Sequence, residues 1–81
     1  MRVRVRLFAV LRERVGKSEL HWEVAQGQTV EDVWVGLRQA FPVLDDAGRV
    51  AFAVNRQYVD TFYRLADNDE VAIIPPVSGG A

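Results

Sequence analysis

One stretch of this chain carries a long helical repeat, and most apolar residues around it alternate two by two. Val30, Val33, Trp34, Leu37 and Phe41 recur at the spacing of an amphipathic helix over about residues 30–41. Thr29 stands before the run as an N-cap, with Asp32 three residues on in a weak form of the capping box. Pro42 stops the helix, because the residue before a proline is pushed out of helical geometry. A lone helix with one apolar face has nothing to bury it against except a second layer. The rest of the chain must supply that layer as strands.

It does so. Residues 2–8 alternate, with Val3, Val5 and Leu7 on one face and Arg2, Arg4, Arg6 and Phe8 on the other. Residues 9–15 read as a short helical turn ended by Gly16. Leu20, Trp22 and Val24 then alternate with Glu19, His21 and Glu23, a second strand joined to the first by an elaborated hairpin loop. Beyond the helix, a polar loop around Asp45-Asp46-Ala47-Gly48 leads into a third strand, residues 50–54. Asn55-Arg56-Gln57 is a turn and Tyr58-Val59 a short strand. Leu65 enters a polar turn that runs to Glu70, and Val71-Ala72-Ile73-Ile74 is apolar on both faces, as suits a strand with neighbours on either side. Pro75-Pro76 closes it, since neither proline can donate to a sheet ladder. The order of elements predicts an α+β domain of the β-grasp (ubiquitin-like) kind over residues 1–76: a mixed sheet of four to five strands on one main helix, the first and last strands side by side at the centre. Residues 77–81 form a tail.

Composition narrows the chemistry. Eighty-one residues suffice for one domain with a modest core. With no cysteine, the chain has no disulfide, no thiolate-bound metal and no thiol nucleophile, so any sulfur it handles rides on another group. One histidine, His21, cannot build a multi-histidine metal site, and the Asp45-Asp46 and Asp67-Asp69-Glu70 groups read as solvated turns without calcium-loop spacing. A net charge of −1 argues against nucleic acid, which calls for a basic excess. No apolar run approaches the roughly 18 residues of a membrane span, and the alternating Arg-Val start is unlike a signal peptide. A cytoplasmic protein is expected. The arginine stripe on the first strand reads as a soluble sheet surface.

Three local patterns resemble the small subunit of molybdopterin synthase. Val5-Arg6-Leu7-Phe8-Ala9 with Leu11-Arg12-Glu13 looks like that family's opening strand and Arg-Glu pair. Ala53-Val54-Asn55 followed by Tyr58-Val59 resembles its central turn. Most specific is Leu65-Ala66-Asp67-Asn68-Asp69-Glu70-Val71-Ala72-Ile73-Ile74-Pro75-Pro76-Val77-Ser78-Gly79-Gly80, which matches the family's ending with Asn68 where glycine is usual. Both residues tolerate a left-handed turn. Ala81 is the departure: the family's second glycine is its last residue, so Gly80 becomes the reactive terminus only when Ala81 is absent.

The resemblance implies a carrier subunit that is not catalytic alone. An ATP-using adenylating enzyme (MoeB-like) would convert the Gly80 carboxyl to an acyl-adenylate, and a persulfide or sulfide would displace AMP to leave a thiocarboxylate. The large subunit of the synthase (MoaE-like) would receive it to build the dithiolene of the molybdenum cofactor, in a heterotetramer with two copies of each subunit. No bound cofactor is implied. Gly79 and Gly80, lacking Cβ, suit a narrow channel, and Pro75-Pro76 stiffens the root of the tail. Val77 and Ser78 offer one apolar and one hydroxyl contact along the way. Phe8, Tyr58 and Ile74 match the family's apolar docking residues, and Arg12 is placed to meet an acidic partner surface. The same tail chemistry would serve thiamin or tRNA thiolation, which ranks second because those carriers lack the Pro-Pro-Val-Ser-Gly-Gly ending in this form, or, third, conjugation to a lysine as in a ubiquitin-like modifier. From a different class, the domain would be an interaction module with an inert tail.

Overall fold

The alternation of the first strand survives intact in three dimensions. In the computed structural model, which describes residues 1–45 and 47–75, β1 (Arg2–Leu7) buries Val3, Val5 and Leu7 and turns its arginines outward. α1 (Ala9–Val15) and β2 (Glu19–Glu23) follow, then α2 (Val30–Ala40), a 3-10 turn (Pro42–Leu44), β3 (Ala51–Val54), β4 (Gln57–Val59) and β5 (Glu70–Ile74). The sheet runs β2-β1-β5-β3-β4. β1 and β5 are parallel neighbours at its centre, and the other pairings are antiparallel. This is the mixed five-stranded β-grasp sheet that the order of elements predicts.

The helix α2 lies on one face. It buries Val30, Val33, Trp34 and Leu37 in one core with Val3, Val5, Leu7, Phe52, Val54, Val71 and Ile73. Each such side chain contributes about 1.5–3 kcal/mol on leaving water. Trp34 meets Phe52 edge to face, ring centroids 6.4 Å apart. The capping box is complete: Asp32 N–H donates to Thr29 Oγ1 at 3.3 Å, and Thr29 N–H donates to Asp32 Oδ2 at 2.8 Å.

Several details depart from the periodicities. Phe8 leaves the strand and becomes the N-cap of α1, because Ala9 turns the chain with φ 49°. α1 is a seven-residue helix that plants Leu11 in the core, and Gly16 ends it at φ 88° with its N–H on the Arg12 carbonyl. Leu20 and Trp22 are half-buried, since β2 is an edge strand with a neighbour on one side only. Phe41 falls just past α2, and Pro42 opens a 3-10 turn that buries Leu44. Val50 precedes β3 instead of starting it.

Candidate functional site

Whatever the tail does, it leaves the body where β5 ends, at Ile74-Pro75. The position of that exit depends on how the strand is held. Asn55, at φ 51°, begins the tight turn between β3 and β4, and Arg56 follows it at φ 72°. Positive φ at both central residues is the geometry that matches the twist of a hairpin. The Asn55 side chain then reaches across to β5. Its Oδ1 accepts from Glu70 N–H at 3.0 Å, its Nδ2 donates to Asp69 Oδ1 at 3.0 Å, and its own N–H donates to the Glu70 carbonyl.

Asp69 closes the other side of this clamp. Its Oδ2 accepts from Ala66 N–H at 2.8 Å, which curls the 65–70 turn around it, with Asn68 left-handed at φ 68°. The turn is tied to β1 as well: Asn68 N–H donates to the Arg2 carbonyl, and Arg2 N–H to Asp67 Oδ1 at 2.9 Å. Asp69 is thus buried, 8% exposed, and is not the solvated turn residue that its sequence context suggests. A carboxylate can be buried when its oxygens are met by donors, as these are. The Asn of the central turn and the Asp of the ending are two halves of one structural device.

With β5 fixed, the pairing register composes the sheet face opposite α2. Arg6, Ala72, Ala53 and Tyr58 form one row across β1, β5, β3 and β4, and Ile74 sits beside Ala51. The alanines leave a floor, and larger side chains rise around it. The result is a depression of about 220 Å³ that gathers Phe8, Tyr58 and Ile74 beside the tail's root, with Arg6, Arg56 and Glu70 at its margin. Tyr58 is 75% exposed and Phe8 37%, so neither is a core residue. Ile74 and Pro75 are half-buried. Arg12 is exposed on α1 and does not line the depression. Pro76, Val77, Ser78, Gly79 and Gly80 lie outside the described residues. A larger depression of about 460 Å³ is lined by α2 and the turn after it, and shares no residue with this one.

The arginine stripe is largely spent on neighbours. Arg2 Nε meets Glu23 at 3.1 Å, while Arg4 and Arg6 share Glu70 at 3.9 and 3.7 Å. Arg6 also stacks over the Phe8 ring, 5.5 Å from its centroid, a cation–π contact that steadies the rim. Ala53, Ala72, Arg6, Arg56 and Glu70 are members of the face that periodicity alone does not single out. The signal for them is the alternation of alanine in Ala51-Phe52-Ala53, which becomes a site only once the strands are aligned. His21 is exposed on β2 opposite Arg4. Among the described residues no group of three or more acidic, histidine or cysteine side chains could hold a metal ion. No helix among them is long and apolar enough to cross a membrane.

Known proteins share both the sequence and this frame. The molybdopterin synthase sulfur carrier subunit of Chlamydomonas reinhardtii is 41% identical over 83 aligned positions, covering 99% of this chain and 100% of that protein. Small archaeal modifier protein 3 of Haloferax volcanii is 34% identical, covering 99% and 100%. The crystal structure of SAMP1 from Haloferax volcanii superposes with a TM-score of 0.85 at 30% identity, covering 99% of this chain and 100% of that one. The resemblance read from the opening strand, the central turn and the ending is borne out over nearly the whole length. Matched from Val5 through Gly80 by the model of the ThiS family, the chain belongs to that family.

Proposed function

We propose that this protein is the sulfur-carrier subunit of a molybdopterin synthase, with the Gly80 carboxyl as its working group. The observation that carries this reading is the family match running through Gly79 and Gly80 and stopping there, together with relatives that bear that function by name. The chemistry follows from what a carboxylate needs. Its oxygen attacks the α-phosphorus of ATP on an activating enzyme, releasing pyrophosphate and leaving an acyl-adenylate. A sulfide-level nucleophile displaces AMP, and the carboxyl becomes a thiocarboxylate. Transfer of that sulfur to the pterin precursor in the large subunit, with water as the incoming nucleophile, restores the carboxylate. The carrier binds no cofactor of its own, ATP being consumed by the activating partner in the cytoplasm.

The body's part is to present the tail. The five residues from Pro76 to Gly80 reach at most about 18 Å when fully extended. A partner that takes Gly80 into a pocket must therefore sit within that distance of Pro75, and the face around Phe8, Tyr58 and Ile74 is the apolar surface beside it. Arg12 stands on α1, one turn beyond Phe8, and is offered to the same partner. Removal of Gly79 and Gly80 is expected to leave thermal stability unchanged and to abolish molybdopterin formation with the large subunit. Retained product formation would sink the reading.

A second reading is favoured by the likeness to the archaeal modifiers: attack of a lysine amine on the acyl-adenylate, giving an isopeptide bond. Mass adducts on other proteins that depend on Gly80 would mark this use.

A further inference from the structure

The cations of the open sheet face are not equally committed. Arg2 is paired with Glu23, and Arg4 and Arg6 share the single carboxylate of Glu70. Arg56 lines the same depression and is exposed, and its side chain has no hydrogen bond or ion pair with the described residues. Among the described residues that line the depression, Glu70 is the one acidic group against Arg6 and Arg56, and it is shared with Arg4 as well. That excess stands on a chain whose net charge is −1.

The backbone makes the choice of residue odd. Arg56 holds φ 72° at the second central position of the β3–β4 turn, where a Cβ is penalised and glycine after asparagine is the favoured pair. Among the described residues no hydrogen bond or ion pair rewards the arginine side chain for this strain. Residues kept in such conformations often serve a contact made elsewhere. The depression supplies the contact: it runs from Ile74, where β5 releases the tail, to Arg56 beside Glu70 at the other end of the strand, so a partner seated along it meets the guanidinium.

Resting on the sulfur-carrier reading, we propose that Arg56 is a specificity-determining residue that meets a carboxylate on the large subunit, at the edge of the apolar depression. A planar guanidinium suits a paired contact to a carboxylate, and a rim charge acts chiefly through association rate and salt dependence.

The test compares binding of wild type, Arg56→Gly, Arg56→Lys and Arg56→Glu to the large subunit from the same organism, at low and high salt. Arg56→Gly is the informative variant, because it relaxes the turn and should melt at the same temperature as wild type or higher. At low salt it is expected to bind about three- to fivefold more weakly, the range of an exposed ion pair, with the gap closing at high salt. Arg56→Lys should keep part of the affinity, and Arg56→Glu should lose more than glycine does. Wild-type affinity in the stable glycine variant at low salt would overturn the assignment of Arg56 alone. Failure of wild type itself to bind would overturn the sulfur-carrier reading, and this proposal with it.

Discussion

Asn55 shows how much one residue can hold. It tolerates the left-handed turn at φ 51°, accepts from Glu70 N–H, and donates to the buried Asp69. Replacing it separates these roles. Asn55→Gly keeps the backbone and removes both side-chain bonds, leaving one buried carboxylate oxygen and one N–H without partners. About 1–3 kcal/mol of stability should be lost. Asn55→Ala loses the same bonds and adds the left-handed penalty of a Cβ, about 1–2 kcal/mol more. Urea unfolding of the two variants decides: equal losses would mean that the turn conformation carries no strain. Asn55 and Asp69 lie 14 positions apart in the chain, and no local pattern announces that they touch. The tolerance of Asn68 for a left-handed turn, by contrast, is a local property, and sequence reading places it correctly at φ 68°.

At the scale of elements, legibility follows periodicity. α2 and β1 each have a solvent side and a core side, so their patterns are clean and their buried residues are the expected ones. β2 is blurred because an edge strand buries its inner residues only in part. α1 and the 3-10 turn are short enough that no repeat develops, which is why Leu11 and Leu44, both fully buried, escape notice. Two substitutions in and before α2 should differ in size for stated reasons. Thr29→Ala breaks one half of the capping box and is expected to cost about 1 kcal/mol. Trp34→Ala empties a site 8% exposed against Phe52 and should cost about 3–5 kcal/mol. In a domain this small, the second loss approaches the whole of the stability. Thermal and urea unfolding check both, and a tryptophan loss near 1 kcal/mol would place Trp34 outside the core.

For the molecule as a whole, the division of labour is between two faces of one sheet. One face is closed by α2 and supplies the core. The other is left open, apolar at its centre and arginine-rimmed, beside the point where the central strand releases the tail. The tail motif is legible as a string of letters because the chemistry proposed for it is local to Gly80. The open face is legible only in part, through Phe8, Tyr58 and Ile74, because Ala53, Ala72 and Arg56 join it by strand register. The central claim is that the body exists to carry a reactive terminus. Intact mass tests it most directly, on chain ending at Gly80 incubated with ATP, sulfide and the adenylating enzyme. A gain of about 16 Da, one oxygen replaced by sulfur, and its absence when ATP is withheld, is the expected result. A chain that binds the adenylating enzyme yet never gains that mass would contradict the claim.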